Sequence, residues 1–91
     1  MNNLHIKPIL NQIVKSSTSI GANYMEANNA SSKRDSRNNI YIIKKECQET
    51  KYWLRMLSSA APTKTQTLKA LWQESHELTL IFAKISKNCK E

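Results

Sequence analysis

The chain has 91 residues, 40% apolar and only 7% aromatic, with one glycine, Gly21, and two prolines, Pro8 and Pro62. A β-sandwich or barrel needs a turn about every 8–12 residues, usually built on Gly, Pro or Asn-Gly, so this composition leaves no room for one. Fourteen Lys and Arg against seven Asp and Glu give +7, a balance suited to a polyanionic partner.

The first predicted helix covers residues 6–28. Ile6, Leu10, Ile13, Ser17, Ile20, Tyr24 and Ala27 alternate steps of four and three, a heptad-like seam. Ile9, Val14 and Met25 widen it. Pro8 fits a first turn, where its missing N–H costs nothing. Asn28 and Asn29 suit a left-handed helix end. Ser16-Ser17-Thr18-Ser19, Gly21 and Ala22 are small enough to admit a second helix closely, which would offset the cost of a mid-helix glycine.

The second predicted helix covers residues 32–58, opened by a capping box in Ser32-Lys33-Arg34-Asp35. Its seam is Ser36, Ile40, Ile43, Cys47, Thr50, Leu54 and Leu57, beside a second stripe of Ile42, Glu46, Glu49, Trp53 and Met56. Two stripes predict partners on two sides. The third helix, residues 65–89, follows Pro62, with Thr63, Thr65 or Thr67 as its cap. Leu68, Leu71, Ser75, Leu78, Phe82, Ile85 and Cys89 form its seam; Trp72 and Ile81 extend the apolar face, and Lys84, Lys87 and Lys90 suit the C-terminal end of the dipole. Short connections make neighbours antiparallel. The expectation is one all-α domain, an up-down-up bundle of three long helices. One apolar side is left for another chain to cover, with Trp72 and Ile81 as anchors.

No apolar run approaches the roughly 18 residues of a membrane span, and no secretion signal opens the chain, so the expected compartment is the cytoplasm, without membrane contact. There Cys47 and Cys89 should be buried free thiols. No metal, cofactor or catalytic set is expected. His5 and His76 lack an H-x-x-x-H or E-x-x-H pairing. Glu46 and Glu49, three apart, suit hydrogen bonds between helices better than a metal. No nucleophile elbow or phosphate loop is present.

Charge is uneven. Residues 32–62 carry +4 of the +7, from Lys33, Arg34, Arg37, Lys44, Lys45, Lys51 and Arg55. These are the candidate nucleic-acid-binding residues. Lys44, Lys51 and Arg55 share one side of the second helix with Tyr41, Gln48 and Tyr52, a combination that can hold phosphates and stack on bases. A solvated face edged by tyrosines is the competing reading.

The stretch Ser16-Ser17-Thr18-Ser19-Ile20-Gly21-Ala22-Asn23-Tyr24-Met25-Glu26-Ala27-Asn28 resembles the signature of the bacterial four helix bundle protein family. That family includes proteins encoded by intervening sequences in large-subunit ribosomal RNA genes. The stretch also resembles the accessory variability proteins of diversity-generating retroelements. The similarity continues in Ser32-Lys33, Asp35, Lys45-Glu46-Cys47-Gln48-Glu49-Thr50 and Tyr52-Trp53-Leu54. Ser36 stands where family members usually carry an aromatic, and the chain starts at what resembles the family's second helix. The resemblance implies a non-enzymatic homo-oligomer, often a pentamer, with a basic surface. It also implies RNA or DNA, and a reverse transcriptase or another protein, as partners. Carried over with it are Ser19, Asn23, Glu26, Lys33, Glu46, Glu49 and Trp53. Of these, Ser19, Asn23, Glu26, Glu46, Glu49 and Trp53 read as polar contacts between helices with a closing tryptophan. The leading functional expectation is RNA binding through the basic face of the second helix. The alternative is a protein scaffold that uses the open apolar side.

Overall fold

The computed structural model describes residues 3–88, with side chains over residues 6–87. Within them the fold is all-α: α1 (Asn3–Asn28), α2 (Lys33–Ala60) and α3 (Thr65–Asn88), with a 3-10 turn at Pro62–Lys64 between the last two. Cys89 and Lys90 lie outside the described residues.

The helix ends follow from local chemistry. Ser32 is extended and its hydroxyl accepts the Asp35 N–H at 3.1 Å, capping α2 as the sequence predicts. Ala61, held out of the α region before Pro62, ends α2 with its N–H on the Leu57 carbonyl at 2.8 Å. Three ends differ from expectation. α1 starts a turn earlier, so Pro8 sits inside the helix. The apolar period begins only at Ile6, so it could not register that extra turn. α1 closes without a left-handed residue; instead the Asn29 side-chain amide donates to the Met25 carbonyl at 2.9 Å. None of the threonines caps α3. Thr65 is already helical, and its hydroxyl donates back to the Pro62 carbonyl at 2.7 Å.

The three helices run up, down and up, with α2 in the middle. Ile6, Ile9 and Ile13 of α1 pack on Leu54, Leu57 and Leu68; Ile20 and Ala27 pack on Ile40, Ile43, Cys47 and Phe82. That register is antiparallel for α1 on α2. Among the described residues, no Cα of α1 comes within 8 Å of a Cα of α3. Tyr24 and Phe82 bridge the two helices with an edge-to-face contact at 6.2 Å.

This arrangement divides the predicted seams. The α2 seam is inward along its whole length, with Ile43 and Cys47 fully enclosed. In α1 only Ile6, Ile13, Ile20 and Ala27 of the seam turn inward; Leu10, Ser17 and Tyr24 are exposed, and Ile9, Ser16 and Asn23 complete the contact face instead. In α3, Leu68, Ser75 and Phe82 are inward, while Leu71, Leu78 and Ile85 are exposed. The reason is geometric. α2 has a neighbour on two sides, whereas each flanking helix packs fully on α2 alone. The exposed halves border an open groove between α1 and α3. Its lower end is a 360 Å³ cavity lined by Ile6, Leu10, Leu57 and Leu68, among others.

Other expectations shift for the same reason. Of the second α2 stripe, Glu46 and Trp53 are half-buried, but Ile42, Glu49 and Met56 are exposed. Gly21 is not a point of close approach within the chain: a Cβ there would meet nothing within 4 Å. Ile81 is exposed, and Trp72 is engaged between α2 and α3.

Two measurements test this packing. Ile43→Ala should cost about 3–4 kcal/mol in urea unfolding, because the cavity lies where both flanking helices meet α2. Gly21→Ala should raise stability by about 0.5–1 kcal/mol, since helix propensity improves and no atom obstructs the methyl.

Candidate nucleic-acid interface

The cationic residues of α2 occupy positions that helical geometry sorts. Lys33, Arg37, Lys44, Lys51 and Arg55 follow steps of four, seven, seven and four, which keeps them in one stripe of a 3.6-residue helix. Arg34 and Lys45 are exposed but rotated off it. The stripe is about 33 Å long at 1.5 Å per residue. It lies on the α3 side of α2, where Lys51 Nζ meets His76 Nδ1 at 3.1 Å. An ammonium only donates, so Nδ1 is the acceptor and the ring proton sits on Nε2. α3 adds Lys69 and Lys87 beside the first row, with His76 between them.

Among the described residues, acidic side chains are absent from this shoulder by the same phase argument. Asp35, Glu46 and Glu49 fall on the far side of α2, and Glu74 and Glu77 turn away from it on α3. The sequence reading grouped Lys44, Lys51 and Arg55 on one side of α2, and Lys33 and Arg37 join them in the stripe. It did not pick out Lys69 and Lys87 for this surface, because the pairing of α2 with α3 decides which α3 face lies beside them.

Aromatic groups accompany the cations. Lys44 Nζ stands 5.0 Å from the Tyr41 ring. Trp72 is stacked on His76, with centroids 5.1 Å apart and planes within 10°. Lys51 Nζ and the Arg55 guanidinium stand 5.3 and 6.0 Å from the Trp72 ring. Each such pairing contributes about 0.5–1 kcal/mol at an exposed site. The Trp72 Nε1–H is buried and has no hydrogen-bond partner among the described residues. An orphaned donor of this kind costs roughly 1–3 kcal/mol. Beside it opens a 380 Å³ cleft edged by Arg55, Ser58, Ser59 and Lys69 over Leu54 and Leu68. Gln48 and Tyr52 are exposed along the stripe, and Tyr52 meets Trp53 edge to face at 4.9 Å.

The residues singled out for contacts between helices gather on the other flank, toward α1. Ser19 of α1 and Glu49 stand beside the Glu46 carboxylate, Ser19 favouring its ionised form and Glu49 disfavouring it. Asn23 turns instead to its own helix, with Nδ2 donating to the Ser19 carbonyl at 2.9 Å. Glu26 is exposed, and Trp53 is half-buried. A buried pair missed by sequence reasoning crosses the same interface: the Ser16 and Thr50 hydroxyls lie 2.7 Å apart. Thr50 also donates to its own Glu46 carbonyl at 2.9 Å, as helical threonines commonly do. Burial pushes the Cys47 thiol above its ordinary value, and Thr79 beside it draws it back in part. Among the described residues, no three His, Cys, Asp or Glu side chains cluster as a metal site would require, and no helix is long and apolar enough to cross a membrane.

Burial, and then the neighbouring Glu49, hold the Glu46 carboxyl above its usual range. The folded state therefore binds this proton more tightly than the unfolded chain does. Its contribution to stability grows as pH falls through the raised value and fades as pH rises above it. Glu46→Gln, which keeps an acceptor for Ser19, should raise the melting temperature at pH 7, with the gain shrinking as the pH approaches about 4. A lower melting temperature at pH 7 would contradict this account.

The comparisons with known proteins agree with this architecture. The family profile described as 23S rRNA-intervening sequence protein matches residues 6–84. Among solved structures, a protein of unknown function from the S23 ribosomal protein family of Bacteroides thetaiotaomicron VPI-5482 superposes with a TM-score of 0.81 at 35% identity. The match covers 87% of this chain and 73% of that one. No curated protein matches the chain.

Proposed function

The chain belongs to the 23S rRNA-intervening sequence protein family, and from that premise we propose a non-enzymatic protein that binds structured RNA through the α2–α3 shoulder. The observation that carries the proposal is the double row of cations, Lys33, Arg37, Lys44, Lys51 and Arg55 on α2 beside Lys69 and Lys87 on α3, with the carboxylates of the described parts of both helices turned to other sides. The α2 row, about 33 Å long, spans several phosphates of one strand. Arg34 and Lys45 extend the field to either side without joining the row. Tyr41 and Tyr52 are exposed beside it and offer stacking surfaces to unpaired bases.

Self-association goes with this role. Leu10 and Tyr24 of α1 and Leu71, Leu78 and Ile85 of α3 leave apolar surface exposed on the two helices that flank α2. A second copy of the chain that covered them would gain roughly 25 cal/mol for each Å² of apolar surface removed from water. The groove also supports a second reading, a scaffold for another protein with no nucleic-acid role. Salt separates the two readings, because phosphate contacts release counterions and apolar contacts do not.

Fluorescence anisotropy with a structured RNA, and duplex DNA as comparison, tests the proposal. Affinity for RNA should exceed that for DNA and fall about 10²–10³-fold between 50 and 200 mM salt, the response expected of about five phosphate contacts. Lys44→Glu combined with Arg55→Glu should weaken RNA binding at least about tenfold while helicity is retained. Unchanged affinity in that variant would remove the shoulder as the interface. Negligible RNA binding at low salt would favour the scaffold.

A further inference from the structure

The cleft at the α2–α3 end of the shoulder combines three features that no packing role requires together. Its floor is apolar, made by Leu54 and Leu68, both buried. Its wall is Trp72, whose indole N–H has no acceptor among the described residues. Its rim carries two exposed cations, Arg55 and Lys69, and the hydroxyls of Ser58 and Ser59. An apolar ligand would leave the cations without a purpose. A bare anion would leave the floor and the indole without one. A planar ring joined to a phosphate can lie on the floor against the indole while the rim cations hold its phosphate.

We propose that this cleft receives one unpaired nucleotide of a bound RNA strand, its base against Trp72 and its phosphate between Arg55 and Lys69. The inference rests on the RNA-binding reading above and adds to it a subsite and a strand class. Its volume, 380 Å³, falls within the range of small-ligand pockets, roughly 300–1,000 Å³. Arg55 is exposed and its guanidinium rests 6.0 Å from the indole, so it can turn to a phosphate without losing core packing and uncover the ring. His76, stacked on Trp72 and tied to Lys51, keeps the indole from following. Base–aromatic stacking tolerates any base, so the subsite selects unpaired strands rather than a sequence. A continuous duplex keeps its bases stacked inside and cannot fill the cleft.

The test uses the full chain with Trp53→Phe, which leaves Trp72 as its one tryptophan. A single-stranded octauridylate and a blunt RNA duplex are titrated separately at low salt. The single strand should quench Trp72 fluorescence saturably, and the duplex should bind without quenching. In the parent chain, Trp72→Ala should weaken octauridylate binding about 5- to 100-fold, the range expected for loss of one stacked base, and leave duplex binding within about twofold. Trp72→Phe, which keeps an aromatic wall, should recover most of the single-strand affinity. If Trp72→Ala fails to fold, the quenching experiment decides alone. Octauridylate binding without quenching would overturn the nucleotide subsite and leave RNA binding by the shoulder intact. Absence of binding by either RNA would overturn both.

Discussion

The molecule depends on one helix serving as the core for two others. Ile40, Ile43, Cys47, Thr50, Leu54 and Leu57 form a buried line down the centre of α2. α1 packs on one flank of that line and α3 on the other. With both neighbours spent on α2, the backbones of α1 and α3 stay apart along the described residues. A molecule with axes of 49 × 20 × 14 Å results, long and thin for its size. So thin a body encloses few side chains, which is why exposed leucines and isoleucines are common on its surface.

Polar contacts fix how the helices sit on this line. Apolar side chains alone tolerate sliding, because one leucine fits nearly as well as the next. A buried hydroxyl without a partner does not. Ser16 with Thr50 sets α1 on α2, and Ser19 with Glu46 lies one turn further along the same seam. On the opposite flank Cys47 meets Thr79 and Lys51 meets His76. Each flanking helix is thereby pinned at two levels. The resulting register brings Lys69 and Trp72 beside Arg55.

Charge is partitioned along the same lines. α2 turns its carboxylates toward the α1 side and its stripe of cations toward α3. The two flanks of one helix thus do different work, specifying the fold on one and presenting a positive field on the other. The apolar groove between α1 and α3 is a third surface. Leu68 lies between it and the shoulder, lining both the cleft of the shoulder and the lower end of the groove.

Much of this was legible in the sequence. The all-α class, the Ser32 cap and the buried line of α2 follow from composition, capping chemistry and a strict four-three period, all of which act within one helix. The α2 cations were legible for the same reason, since their spacing alone puts five of them in a row. The seams of α1 and α3 were not fully legible. Leu10 and Ile9, or Leu71 and Trp72, lie about 100° apart at the two edges of one wide apolar face, and periodicity cannot say which edge meets a partner. That choice depends on how many neighbours each helix has, which only the assembled chain decides. The shoulder's second row, the cleft at its end and the unpartnered indole of Trp72 have the same origin. Each is built from residues on two helices, and their relation is set by tertiary packing, through the hydroxyl and His76 contacts that fix the register, rather than by any local pattern.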